Sequence, residues 1–215
     1  MTRPWRLKEL TPVETAQRLA HRPAMLVPVG STEPHGPSLP FGCDTLIVER
    51  LADDLSARFG ILRAPTIEYG VATGRGPGPG GAALRRKTLH RVMNELVQAW
   101  ESAGVREFVL LTAEANDAHQ EALTAIVVQR ARLIAVDVFA MAFGELLDTG
   151  EARPHAGELD TSLMLHLAPD LVRQGAGGLP PHASPEKGAR LYDYILEQVA
   201  RHCLAPEETC AEPSA

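Results

Sequence analysis

The chain has 215 residues, 45% apolar and 22% charged, enough to bury one substantial core and short for two. A formal net charge of −6 and a pI near 5.8, with no long Lys/Arg run, exclude the long-range attraction to a phosphate backbone on which nucleic-acid binding rests. No window approaches the about 20 apolar residues of a membrane span, and the opening MTRPWRLKEL lacks a signal peptide's apolar stretch, so a soluble cytoplasmic protein without a membrane partner is expected.

Thr11-Pro12-Val13-Glu14 reads as a capping box with proline at the first helical position, opening a short helix to about Ala20. Ala24 to Val29 is a compact apolar strand ended by Gly30, and a polar, Pro/Gly-rich loop runs on to Asp44. Leu46, Ile47, Leu51 and Leu55 recur at helical spacing up to Phe59, and Gly60 stops that helix. Ile61 to Tyr69 reads as extended. From Gly70 to Gly81, seven glycines or prolines beyond the first residue forbid regular structure, and a long helix follows from about Arg85 to Ala103. Val105 to Leu111 is the next buried strand, Thr112 to His119 a polar loop, Gln120 to Arg132 a helix by spacing and Leu133 to Phe139 a fourth strand. HAGELDTS at 155–162 leads into Leu163, Leu165 and Leu167, and a last helix covers Glu186 to Leu204. Strands alternating with helices imply right-handed crossovers, hence an α/β three-layer sandwich with a mostly parallel central sheet flanked by helices. One domain over residues 1–204 and a loose tail over 205–215 are expected. The ligand crevice of such a sheet lies outside the carboxyl ends of its strands, where these unusual loops fall.

The loop GSTEPHGPSLPFGCD, Gly30 to Asp44, offers Glu33, His35 and Asp44, side chains of the types that bind zinc, manganese or iron. With Pro34 kinking the loop, Glu33 and His35 can point to two neighbouring ions while Asp44 bridges both. Clustered carboxylates repel and take up protons unless cations compensate them, so a di-metal centre is a natural reason to place them together. The plainer alternative is a solvated turn with Asp44 capping the next helix. Cys43, Cys203 and Cys210 form no CxxC pair, so neither a disulfide framework nor a cysteine zinc knuckle is suggested, and Cys43 is assigned to packing.

GSTEPHGPSLPFGCD resembles the signature loop of the creatininase family, written close to GSxEQHGPHLPLxxD, and HAGELDTS resembles its HAGxxETS segment. The resemblance implies the family's fold and two divalent ions (Zn, Mn or Fe), with Glu33 and His35 on separate ions and Asp44 on both. It implies His155 as a catalytic residue and Asp160 as an acid at the metals, with Glu158 as runner-up. The family's NGHxxN falls at Thr112-Ala113-Glu114-Ala115-Asn116-Asp117. Glu114 therefore replaces the metal histidine, and Asn116 stands where creatininases proper carry a metal-binding glutamate. His119, five positions after Glu114, reads as a solvated residue at a helix start. Arg75, in the remodelled Gly70–Leu84 loop, is a candidate for binding a substrate anion. The Gly76–Gly81 stretch fits GxGxxG, but Pro77 and Pro79 remove donors a phosphate cradle needs. The expected activity is metal-assisted hydrolysis of a cyclic amide or formamide-type C–N bond in a small molecule, by a homo-oligomer, a hexamer by likeness. The alternatives are a peptidase maturing a modified peptide precursor and a silent binding protein that has kept the fold.

Overall fold

A computed structural model describes residues 3–72, 79–149, 155–174 and 178–204. Five strands form one sheet: β1 (Trp5–Arg6), β2 (Ala24–Pro28), β3 (Leu62–Arg63), β4 (Glu107–Thr112) and β5 (Arg132–Asp137), in the order β1-β3-β2-β4-β5. Every pairing is parallel. The helices are α1 (Pro12–His21), α2 (Cys43–Phe59), α3 (Arg86–Ser102), α4 (Asp117–Thr124), α5 (Glu158–Leu167) and α6 (Pro185–Val199), the last continued by a π-turn at Ala200–Leu204.

The central strands β2 and β4 are apolar throughout except at Glu107 and Thr112, the two ends of β4, because both faces are covered. Ala24, Leu26, Val109 and Leu111 pack against α2, α5 and α6 through Ile47, Leu51, Leu163, Leu191 and Ile195. Met25, Val27, Phe108 and Leu110 face the opposite way onto Leu89, Met93 and Val97 of α3 and Leu123 of α4. Side-chain alternation along each strand thus feeds two cores, which makes the three layers.

The strand order places the site. β2 leads through α2 to β3 on one side, whereas β4 leads through α4 to β5 on the other. The connections part between β2 and β4, and the crevice at such a switch point is where ligands of open parallel sheets bind.

Three local expectations are corrected, and one element is added. The extended stretch Ile61–Tyr69 keeps only Leu62–Arg63 as strand, with a later bridge from Ile67 to Val29; Pro65 has no N–H to donate to a ladder. The helix read over Gln120–Arg132 ends at Thr124. There Asn94 Oδ1 takes the Val127 N–H at 3.0 Å. The Glu101 carboxylate of α3 takes the N–H groups of Gln129, Arg130 and Ala131 at 2.5–3.1 Å. A helix over these residues would need those donors for itself. The segment before Thr11 adds the edge strand β1, whose Trp5 lies under the Arg18 guanidinium at 3.6 Å. Finally, His119 is fully buried in α4, not solvated.

Candidate metal centre

Two helix starts and two strand ends build the site. After β2 the chain leaves the sheet at Gly30, where a Cβ would stand 2.3 Å from Thr45 Oγ1 and 2.5 Å from Thr45 Cα. Only glycine permits this approach, which brings the loop against the first turn of α2; Thr45 Oγ1 then donates to the Ser31 carbonyl at 2.9 Å. The Glu33 N–H donates to the Phe41 carbonyl at 3.1 Å, closing the intervening loop. Asp44, in the first turn of α2, has the helix dipole in its favour.

Within this frame Glu33, His35, Asp44, Glu114 and Asp160 are all buried. Ser31 Oγ donates to Asp44 Oδ2 at 2.7 Å. His35 stands 3.0 Å through Nε2 from Asp44 Oδ1 and 3.0 Å through Nδ1 from the Glu33 carbonyl. Both partners are acceptors, so the ring is satisfied as an imidazolium. Burial opposes that charge, but the hydrogen bond and charge of Asp44, the Glu33 carbonyl and Asp160 outweigh it and push His35 up to about 9.

Glu114 enters from the end of β4. Its Oε1 accepts the Asn116 N–H at 2.9 Å, while its buried Oε2 meets no protein donor and faces the Glu33 carboxylate. Burial first, then a hydrogen bond shared with Glu33 and the charges of Asp44 and Glu33, push Glu114 up to about 10. Asp160, in the first turn of α5, accepts the Gly157 N–H at 3.3 Å; burial and the charge of Asp44 raise it to about 6.

Among the described residues, three groups each have ligand atoms within 4.8 Å of one another: Glu33, Asp44 and Glu114; His35, Cys43 and Asp44; and Glu33, His35 and His155. Asp44 belongs to two of them, and Asp160 lies beside them without joining any. The donor set fits divalent cations: carboxylates crowded together out of water repel unless a proton or a cation lies between them. A cation would take the proton's place on His35 Nε2, leaving Nδ1–H on the Glu33 carbonyl to orient the ring.

His155 is about half exposed at the mouth. Its Nε2 lies 2.7 Å from the Pro34 carbonyl and 3.9 Å from Glu33 Oε1, and its ring centroid is 4.2 Å from that of His35. The following Ala156 has φ 58°, a left-handed geometry that costs a non-glycine residue roughly 1–2 kcal/mol and turns the chain from His155 into α5.

Glu158, the alternative to Asp160, is engaged elsewhere. It pairs with buried Lys187 of α6 and accepts the N–H groups of Asp148 and Thr149 at 3.1 and 3.0 Å. Burial opposes its charge, but Lys187 and these donors hold it down at about 2. Asn116 caps α4 by accepting the Ala118 N–H at 2.8 Å. His119 ties the Gly70–Leu84 loop to β4: Nδ1 accepts the Val71 N–H at 3.1 Å, and Nε2 lies 3.1 Å from Thr112 Oγ1. Arg75 lies outside the described residues.

Sequence reasoning passed over Lys187, gave Ser31 no role of its own and misplaced His119. Lys187 shares a stripe with Leu191 and Ile195 at helical spacing, which is the signal that would have buried it. Ser31 was legible only as part of the motif, and nothing local separated a buried His119 from a solvated one.

Carboxylates and an imidazole gathered at the switch point of a three-layer sandwich define an α/β protein with a candidate site between the ends of its two central strands. Within that class the chain belongs to the creatininase family, since residues 8–177 match that family's model, described as creatinine amidohydrolase. It is 33% identical over 163 residues to the mycofactocin precursor peptide peptidase of Mycolicibacterium smegmatis, covering 70% of this chain and 60% of that protein. It is 27% identical over 180 residues to the 3-dehydro-scyllo-inosose hydrolase of Thermotoga maritima, covering 77% of this chain and 57% of the other. The matches thus span about 60% of the length of these curated relatives. A solved creatinine amidohydrolase structure superposes with a TM-score of 0.80 at 20% identity, covering 94% of this chain and 99% of that one. A zinc–zinc form of a creatininase variant gives 0.79 at 21%, covering 94% and 99%.

Proposed function

We propose that this chain is a divalent-metal-dependent hydrolase that cleaves a C–N bond of the cyclic amide or formamide type in a small molecule. The observation that carries the reading is the convergence of the buried carboxylates of Glu33, Asp44 and Glu114 within 4.8 Å. Metal-bound creatininase structures of the same fold support it. The proposed ligands are Glu33 and Glu114 at one position, His35 at the other and Asp44 at both, with Asp160 in reserve at the start of α5. When bound, such ions acidify a water molecule and polarise a carbonyl. Asp44, held by Ser31, keeps its orientation for both positions. Asp160 keeps negative charge beside His35 and His155. His155, at the mouth, carries a proton to the departing nitrogen, which leaves poorly as an anion. A homo-oligomer, hexameric by family likeness, belongs to the same proposal.

The test is elemental mass spectrometry on protein expressed with manganese, iron and zinc, followed by hydrolysis assays on lactams and formamides. About two ions per chain and turnover abolished by chelation are expected. Less than about one ion per chain under every supplementation favours the silent fold instead. A second reading, cleavage of a short modified peptide, draws on the 33% identity to the M. smegmatis peptidase; release of a product from peptides alone, with lactams untouched, would select it.

A further inference from the structure

We propose that Cys43 is a metal ligand: its thiolate sulfur completes, with His35 and Asp44, the second cation position of this centre. The inference rests on the metal-dependent reading above. The ligand atoms of His35, Cys43 and Asp44 lie within 4.8 Å of one another, and all three residues are buried. The cysteine backbone is fixed, because its N–H donates to the Pro40 carbonyl at 3.2 Å as α2 begins. Beside it, Glu114 is 4% exposed and crowds Glu33 and Asp44 in the adjoining group, so the carboxylate that both groups share already faces an excess of buried acidic side chains.

Donor supply argues for sulfur. A reactive cation site keeps about three protein ligands and leaves a position open. His35 and Asp44 supply an imidazole and a carboxylate; the carboxamide oxygen of Asn116 is already used by the Ala118 N–H, and Asp160 joins none of the groups, while Glu33 serves the first position and half-exposed His155, though near His35, is held by the Pro34 carbonyl. Cys43 supplies the third. The two positions then differ in kind. Glu33, Asp44 and Glu114 offer oxygen alone and suit manganese or iron, whereas the nitrogen, oxygen and sulfur set selects zinc or cobalt. Binding is a proton exchange without redox change: the S–H bond breaks, the sulfur–metal bond forms and the proton leaves to solvent.

The test uses the whole protein, stripped with chelator and reloaded with cobalt(II). A Cys203→Ser/Cys210→Ser variant leaves Cys43 as the single thiol of the three in the chain and should keep the near-ultraviolet sulfur-to-cobalt charge-transfer absorption of the parent protein. Cys43→Ser and, should it fold poorly, Cys43→Ala should lose that absorption. Their zinc affinity at this position should fall by at least about tenfold in chelator competition. Cobalt bound with visible d–d bands but no charge-transfer absorption overturns the sulfur ligand and leaves the metal centre standing. Failure to bind cobalt, zinc or manganese at all overturns both.

Discussion

Glu114 illustrates how one side chain answers to its surroundings. Its carboxyl group is raised to about 10 by burial and by the neighbouring acids, so in metal-free protein a proton does the work of a cation. A folded-state value above the ordinary carboxylate 4.5 stabilises the fold at low pH, and that stability is lost as pH rises through about 10. Urea denaturation of the chelated protein should therefore show stability falling with pH across this window relative to Glu114→Gln, which imitates the protonated form. His119 carries the opposite sign. Burial lowers it to about 4, so its contribution is complete above 6.5 and disappears as pH falls through about 4. His119→Ala should cost about 1–3 kcal/mol at neutral pH, because the buried Val71 N–H and Thr112 hydroxyl lose their partner. The same variant should flatten the acid limb of the denaturation profile.

Among the elements, the helix starts govern the site. α2 and α5 each place an acid, Asp44 and Asp160, in a first turn aimed at the crevice. The position of α5 depends in turn on α6, which approaches so closely that a Cβ on Gly188 would stand 1.9 Å from the Ser162 carbonyl oxygen. Gly188→Ala should cost roughly 3 kcal/mol in denaturant melts. It should also weaken the Lys187–Glu158 pairing that anchors the chain before His155. Helical periodicity was legible for α2, α3 and α6, whose apolar stripes face a core throughout. It misled at the end of α4, where Ile126 and Val128 continue an apolar pattern but Glu101, over 25 residues away, captures the backbone donors. β1 has two residues, too few for alternation to register.

For the whole molecule, folding and metal binding are coupled if the cations neutralise the acids that the strand ends bring together. Chelation should then lower stability by about 2.7 kcal/mol relative to protein held at free metal of about 100 times the dissociation constant, read as a drop of several degrees in Tm. An unchanged Tm would mean that the native state gains nothing from metal. The family's loop was readable because its residues are consecutive: Glu33, His35 and Asp44 come from one stretch, and their spacing is itself the signal. HAGELDTS was readable for the same reason, with Asp160 preferred to Glu158, but the partner that each of these two buried acids meets was not. The fold chose Asp160 for the crevice by giving Glu158 to Lys187, a partner 29 positions away. Periodicity and motif thus determined the layers, the parallel order and the loops that carry chemistry, because those properties are encoded within a few neighbouring residues. Tertiary structure alone decided that His119 is sealed as a latch and that Cys43 stands beside His35. Burial, charge and hydrogen-bond partners belong to atoms brought together from distant parts of the chain, and no local stretch of sequence contains them.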